Sequence, residues 1–271
     1  MSPKHPLSVC IITFNEEDRI EHCLQSVCGL ADEIIVFDCG SSDRTVEIVK
    51  LYTDKIWVTE WPGYGIQKQR ALEQASGEWV LVIDADEALD GRLQGAIKEL
   101  LSQEKITEMA FKLRWAVIRH GKRLRFGNSG RAPLRLLRRQ GAFFTPDQVH
   151  EKLNPPAGPV GKLPGYLLHY TARDYGHALE KVGKYAWLGS LKYFRQGRRN
   201  HSLVVVLLRA IWTFTHIYIL RVGFLDGRIG FIVAMDYMQT NYNKHAGLWL
   251  LTREEKQGES AAPSSRRVEK G

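Results

Sequence analysis

Asp84-Ala85-Asp86 closes the apolar run Glu78–Ile83, and two carboxylates at the mouth of a buried strand are a place to hold a divalent cation. Alternate side chains of a strand point the same way, so Asp84 and Asp86 are expected on one side with Ala85 on the other. Mg²⁺ and Mn²⁺ take oxygen ligands, and Mg²⁺ is commonly held by one or two carboxylates together with substrate phosphates. An isolated Asp-x-Asp has a plainer reading, in which Asp86 caps the following helix and Asp84 is merely solvated. The elements upstream weigh against it.

The first hundred residues alternate strand and helix patterns with short connections. Leu7–Thr13 is a continuous apolar run, followed by the acidic helix start Asn15-Glu16-Glu17-Asp18 and a periodic stretch to Val27. Glu33–Phe37 repeats the strand signal and runs into the turn-rich Asp38-Cys39-Gly40-Ser41-Ser42-Asp43, before a helix from Arg44 to Tyr52. Lys55–Trp61 reads as a strand, Gly65–Ser76 as a helix, Glu78–Ile83 as a strand and Gly91–Gln103 as a helix. Such alternation predicts an α/β fold whose mostly parallel sheet is covered on both faces, with a ligand crevice at the carboxyl ends of the strands. Asn15, Glu16, Glu17, Asp38, Asp84 and Asp86 all fall at that edge.

In order along the chain, Thr13-Phe14-Asn15-Glu16-Glu17, Asp38–Thr45, Gly65–Leu72 and Gly77–Glu87 resemble the four successive blocks of family 2 glycosyltransferases. The resemblance implies a GT-A fold that binds a nucleotide-diphospho-sugar. It implies a donor site containing Thr13, Phe14, Asn15, Glu17, Asp38, Gln67, Lys68 and Asp84, with Asp38 near the uracil or ribose and Asp86 on the metal, Mg²⁺ or Mn²⁺, that bridges the diphosphate. Lys68-Gln69 stands where many members look like Arg-Asn. Farther on, Asp147–Leu153, Val160–Tyr170 and Phe224–Gly230 are similar to the subgroup of lipopolysaccharide-core β-glucosyltransferases that act on heptose, the β-1,4-glucosyltransferases above all. The donor and acceptor implied are UDP-glucose and a phosphorylated lipopolysaccharide core. Sugar and linkage rest on analogy alone, since a fold and a metal site specify neither.

Inverting transfer needs a general base for the acceptor hydroxyl and a counter-charge for the departing nucleoside diphosphate. Glu151 stands in a Val-His-Glu block that resembles the acceptor-side catalytic position of the family, with Asp147 as the alternative base and His150 and Arg131 as acceptor contacts. The competing reading makes Glu151 a surface residue in a loop bounded by Pro146 and Pro155. His169 is either a further metal ligand or a structural histidine, and Glu87 either starts the next helix or orients a metal ligand.

The 271 residues carry a net charge of +8, unevenly spread: Lys112–Arg139 contains ten Lys or Arg and no Asp or Glu. That stretch predicts an anionic partner. It lacks a nucleic-acid-binding module, and a phosphorylated glycolipid or an anionic membrane surface fits it better; a solvated basic face is the plain alternative. Met109–Ile118 alternates as one edge strand. Leu203–Leu220 is apolar enough to resemble a spanning helix, yet Ser202, Arg209, Thr213 and His216 recur at helical spacing. An arginine near the middle of a span is costly, and Trp212, Tyr218 and Trp249 suit the headgroup level. The expectation is a helix pair lying on the membrane, the second from Gly230 to Leu251, with a protein-buried lid or a homo-oligomer interface as the competing reading.

The predicted organisation is a catalytic domain over residues 1–185, divided into a nucleotide-sugar half (1–104) and an acceptor half (105–185), a membrane-associated helical segment (186–252) and a disordered tail (253–271). Cys10, Cys23, Cys28 and Cys39 show no Cys-x-x-Cys spacing and read as reduced thiols. No signal peptide is visible at Met1–Pro6, and the expectation is a cytoplasmic protein peripherally associated with the inner face of the cytoplasmic membrane. A sugar-1-phosphate nucleotidyltransferase would need a Gly-rich loop with Arg after the first strand, where this chain has Thr-Phe-Asn-Glu-Glu. A polyprenyl-phosphate glycosyltransferase and a non-catalytic membrane scaffold remain as alternatives.

Overall fold

The computed structural model describes residues 4–127, 129–146 and 152–261. In chain order the elements are β1 (Leu7–Thr13), α1 (Ile20–Gln25), β2 (Glu33–Asp38), α2 (Thr45–Lys50), β3 (Ile56–Val58), α3 (Tyr64–Gln74), β4 (Trp79–Asp84), β5 (Glu87–Leu89) and α4 (Gly91–Ser102). Then follow β6 (Ala110–Lys112), β7 (Trp115–Arg119), β8 (Lys122–Arg123), β9 (Leu134–Arg138), β10 (Phe143–Phe144), β11 (Leu153–Asn154), β12 (Val160–Lys162) and β13 (Leu167–Tyr170). Three helices follow among the described residues: α5 (Tyr175–Arg195), α6 (Leu203–Phe214) and α7 (Gly227–Ala261). The described residues up to Ile118 form one compact unit with Ser129–Thr171; Arg119–Gly127 and the chain from Ala172 onward form a second.

In the first unit a seven-stranded sheet runs β12-β6-β9-β4-β1-β2-β3. β3, β2, β1 and β4 are parallel, and β9 is antiparallel to both β4 and β6. The continuous apolar runs follow from burial on both faces. Val9 and Ile11 of β1, Ile34 and Val36 of β2, and Trp79, Leu81 and Ile83 of β4 pack one core with α1 and α4. Their neighbours Cys10, Ile12, Ile35, Phe37, Val80 and Val82 pack the other core with Ala71 and Leu72 of α3. Each of the larger aliphatic side chains so buried stabilises the fold by about 1.5–3 kcal/mol. A smaller sheet places β13 between β5, antiparallel, and β7, parallel.

Several local expectations differ from what forms. Met109–Ile118 is not one strand: β6 and β7 lie in different sheets, with an irregularity in register at Phe111/Lys112. Glu87 does not start a helix, and Asp86 does not cap one. Glu87–Leu89 is a strand, and Asp90 caps α4 by accepting the Leu93 N–H at 2.8 Å. The same Asp90 oxygen accepts the Tyr166 N–H. Gly165 presses so closely on this helix start that a Cβ would lie 2.4 Å from the Leu93 nitrogen, and its φ of +98° also favours glycine.

In the second unit α7 packs along both α5 and α6. It begins at Gly227 rather than Gly230 and continues past residue 252 to Ala261, so the helix occupies part of the segment expected to be a disordered tail. Arg199 pairs with Glu255 through two hydrogen bonds and so holds that extension. The Phe224–Gly230 block is an anchor. Its Asp226 carboxylate accepts the Arg125 and Phe126 N–H groups, and its carbonyl accepts from Lys122 Nζ at 2.5 Å. α6 buries only Val206 and Ala210 and passes into a π-helical turn, Thr215–Leu220.

Candidate active site

The loops after β1 and β2 bind each other tightly. Asp38 is buried, and its carboxylate accepts the Gly40 and Ser41 N–H groups at 2.8 and 2.7 Å and the Ser41 hydroxyl at 2.5 Å. Gly40 stands at φ +84° in that turn. Asn15, itself at φ +52°, donates its N–H to Ser41 Oγ and accepts from the Ser42 N–H. Glu17 accepts the Arg44 N–H and donates its own N–H to Asp43. The buried Thr13 carbonyl accepts the Cys39 N–H, while Phe14 is exposed. The buried Gln67 donates to Thr59 Oγ1 at 2.8 Å. These expected donor-site residues therefore meet around one loop pair, several of them as its internal scaffold.

Asp84 and Asp86 have separate partners. Asp84 ends β4, with Lys68 Nζ 2.9 Å from Oδ1 and Arg135 Nη2 2.8 Å from Oδ2. Burial pushes its carboxyl up, but Lys68 and then Arg135 outweigh burial and hold it well below the usual carboxylate range. Asp86 follows in a turn. Its Oδ2 lies 3.6 Å from His169 Nε2 and 3.9 Å from Arg19 Nη1. Burial raises Asp86 too, and the contact with His169 more than offsets it, lowering the carboxyl overall. Burial depresses the His169 imidazole, while Asp86 reverses the shift and carries it above its ordinary value.

Behind the two aspartates sits Glu87, fully buried. Its Oε1 accepts from Trp115 Nε1 and Arg135 Nη2, both at 2.7 Å, and its Oε2 accepts the Asp84 N–H at 2.9 Å. Burial lifts this carboxyl above the usual range against the pull of Arg135. Arg19, anchored on Glu16 and on the Tyr170 carbonyl, and Trp115 escape a reading of the sequence, because neither belongs to a chemical motif. Arg135 was legible only as one member of a basic stretch.

Three arginines of that stretch, Arg119, Arg135 and Arg138, are paired with carboxylates within the fold. Arg138 pairs with Glu78, and in the second unit Arg119 pairs with Asp236 at 2.5 Å. Arg131 keeps an exposed side chain. Asp147, His150 and Glu151 lie outside the described residues. Among the described residues no three His, Cys, Asp or Glu side chains converge as a metal cage. Asp86 and His169 nonetheless suit two neighbouring ligands, because their 3.6 Å separation is near the roughly 3 Å between adjacent ligands of an octahedral ion with bonds of about 2.1 Å. In nucleotide sites the diphosphate supplies other oxygens, so a full protein cage is not required.

A mixed sheet whose parallel strands carry polar loops at their carboxyl ends, with a carboxylate pair in front of a buried Lys–Arg cluster, is the architecture of the GT-A fold. The model of the family described as Glycosyl transferase family 2 matches residues 8–129. The lipopolysaccharide core biosynthesis glycosyltransferase LpsC of Rhizobium meliloti (strain 1021) is 34% identical over 87% of this chain and 88% of its own. An uncharacterized glycosyltransferase of Rickettsia bellii (strain RML369-C) is 30% identical over 89% of this chain and 85% of its own. Among solved structures, S. aureus TarS 1-349 in complex with UDP-GlcNAc is 16% identical, covers 93% of this chain and 92% of its own, and superposes with a TM-score of 0.46. The chain belongs to glycosyl transferase family 2 and is a glycosyltransferase.

Proposed function

We propose that this chain transfers a hexose, glucose from UDP-glucose, to an inner-core heptose of lipopolysaccharide with inversion and with a divalent metal. The observation that carries the reading is the similarity to LpsC over most of both chains, joined to a site whose acidic edge suits a nucleotide diphosphate and its cation. The loop pair of Asn15, Glu17 and Asp38 forms the donor's nucleoside seat, and Thr13, Phe14 and Gln67 belong to the same side. Lys68 and Arg135 hold Asp84 ionised and fixed, while Asp86 and His169 are the residues that would hold Mg²⁺ or Mn²⁺. A divalent cation there supplies counter-charge to the departing diphosphate. Arg19 adds a fixed positive charge beside Asp86. Glu151, with Asp147 as the alternative, takes the proton from the acceptor hydroxyl, and His150 and Arg131 hold the phosphorylated acceptor.

The second unit supports work at the cytoplasmic face of a membrane. Leu203–Leu220 is long and apolar enough to cross one by length and composition, and only 17% of it is buried. Leu208 and Trp212 are 61% and 60% exposed. Arg209, exposed in the middle of the segment, favours lying in the interface over spanning. The same face keeps a polyprenyl-phosphate acceptor in contention.

The test is turnover with purified protein, Mn²⁺ or Mg²⁺, a panel of UDP-sugars and heptose-bearing truncated lipopolysaccharide. Transfer from UDP-glucose to heptose, abolished by chelator and by Asp86→Ala, is the expected result. Product on polyprenyl phosphate would move the acceptor to a lipid phosphate, and a Glu151→Gln protein with wild-type turnover would overturn the base assignment. Silence with every donor would return the non-catalytic scaffold.

A further inference from the structure

A histidine that binds metal through one ring nitrogen ordinarily donates the other N–H to a carboxylate, a carbonyl or water, and that bond fixes its rotation. Among the described residues no protein group makes that bond to His169, whose Nδ1 is buried. A ring contact is present in its place. On the small sheet His169 pairs directly with Glu87 of β5 and with Val117 of β7, so Trp115, two residues before Val117, shares its face. The Trp115 and His169 rings lie 4.8 Å apart between centroids, tilted by 38°. The indole is itself held from behind, because Nε1 donates to Glu87 Oε1 at 2.7 Å. The Arg135 guanidinium stands 5.7 Å from the indole centroid and donates to the same oxygen.

We propose that Trp115, fixed by Glu87 and Arg135, is the positioning residue that sets the rotation of His169 toward the metal, replacing the usual hydrogen bond with an aromatic face. This inference rests on His169 as a metal ligand. None of the three residues need touch the sugar or the diphosphate. Glu87 ties the device to the donor edge as well, since its other oxygen accepts the Asp84 N–H.

The experiment is calorimetric titration of the full chain with UDP, with and without Mn²⁺, which reads binding independently of turnover. Trp115→Leu is expected to lower the Mn²⁺-dependent part of UDP affinity by about 10–100-fold, the range for lost outer-layer support of a metal ligand, and to leave metal-free UDP binding unchanged. Trp115→Phe, which keeps an aromatic face but loses the N–H and the second ring of the indole, is expected to recover part of the loss. In a His169→Ala background Trp115→Leu should add nothing, because both act through one imidazole. A Trp115→Leu protein with wild-type Mn²⁺ dependence, or equal losses with and without Mn²⁺, overturns the positioning role. If Trp115→Leu does not fold, Trp115→Phe decides by the same ratio. If His169→Ala leaves the Mn²⁺ dependence intact while Trp115→Leu removes it, the ligand reading fails and the positioning of His169 falls with it. If His169→Ala alone removes it, only the role of Trp115 is overturned.

Discussion

Replacing Arg135 by Met keeps a side chain of comparable length and removes one buried guanidinium that serves two acids. Its Nη2 lies 2.8 Å from Asp84 and 2.7 Å from Glu87. Asp84 retains Lys68 and is partly exposed, with 30% of its side chain accessible, so it loses little. Glu87 has no exposure and no other cation within ion-pair distance among the described residues; it keeps only the Trp115 and Asp84 N–H donors. Orphaning a buried charge in this way costs about 3–5 kcal/mol. For a chain of this size that lowers Tm by about 6–20 °C, at about 2–4 °C per kcal/mol. Thermal and urea unfolding of Arg135→Met against the parent measure the loss. The double variant Arg135→Met/Glu87→Gln removes the orphaned charge and should recover a substantial part of it. A single variant that loses less than about 1 kcal/mol, or a double variant no more stable than the single, would refute the claim that charge compensation holds this layer together.

Two further outcomes follow from other parts of the fold. Burial pushes the Glu33 carboxyl up, but Lys55, Ser8 and Ser76 outweigh it and hold it at about 2 against an ordinary 4.5. A depressed acid stabilises fully above its unfolded value, so the contribution, about 3 kcal/mol, is present above about pH 4.5 and lost as pH falls toward 2. Glu33→Gln should flatten the acid limb of a urea-midpoint against pH profile, and an unchanged limb would contradict the assignment. On α6, Leu208→Glu with Ile211→Glu changes two exposed side chains and should leave Tm unaltered. It should also abolish flotation of the protein with anionic phospholipid vesicles, because each buried aliphatic side chain is worth about 1.5–3 kcal/mol; flotation equal to the parent would remove the membrane from the account.

The parts legible in the sequence are those written in adjacent residues. The apolar runs of β1, β2 and β4 predict strands buried on both faces, and the two cores divide them by alternation. The polar groups after those strands fall at the carboxyl edge, as parallel order requires. What stayed hidden depends on register. Trp115 reaches His169 only because β7 and β13 pair as they do, across more than fifty residues of chain. The division of Asp84 from Asp86 is equally invisible, since it arises from the end of β4 and from cations delivered by α3 and β9. Periodicity places side chains on faces; it does not name the partner that arrives from another element.

The basic stretch makes the same point about charge. Ten positive residues without an acid between 112 and 139 read as a surface waiting for an anion. A buried guanidinium is costly unless it is paired and hydrogen-bonded, however, and the fold brings Asp84, Glu87 and Glu78 to Arg135 and Arg138. Local sequence charge is therefore a poor measure of local surface charge when strands from distant segments supply the acids. Lys112, Arg114, Arg131 and Arg139 keep exposed side chains in the first unit, so a phosphorylated acceptor can draw on these four and not on the buried arginines; Arg114 and Arg131 are the pair to neutralise. Neutralising them should weaken acceptor affinity while sparing the buried network, because neither side chain carries the charge that Asp84 and Glu87 require.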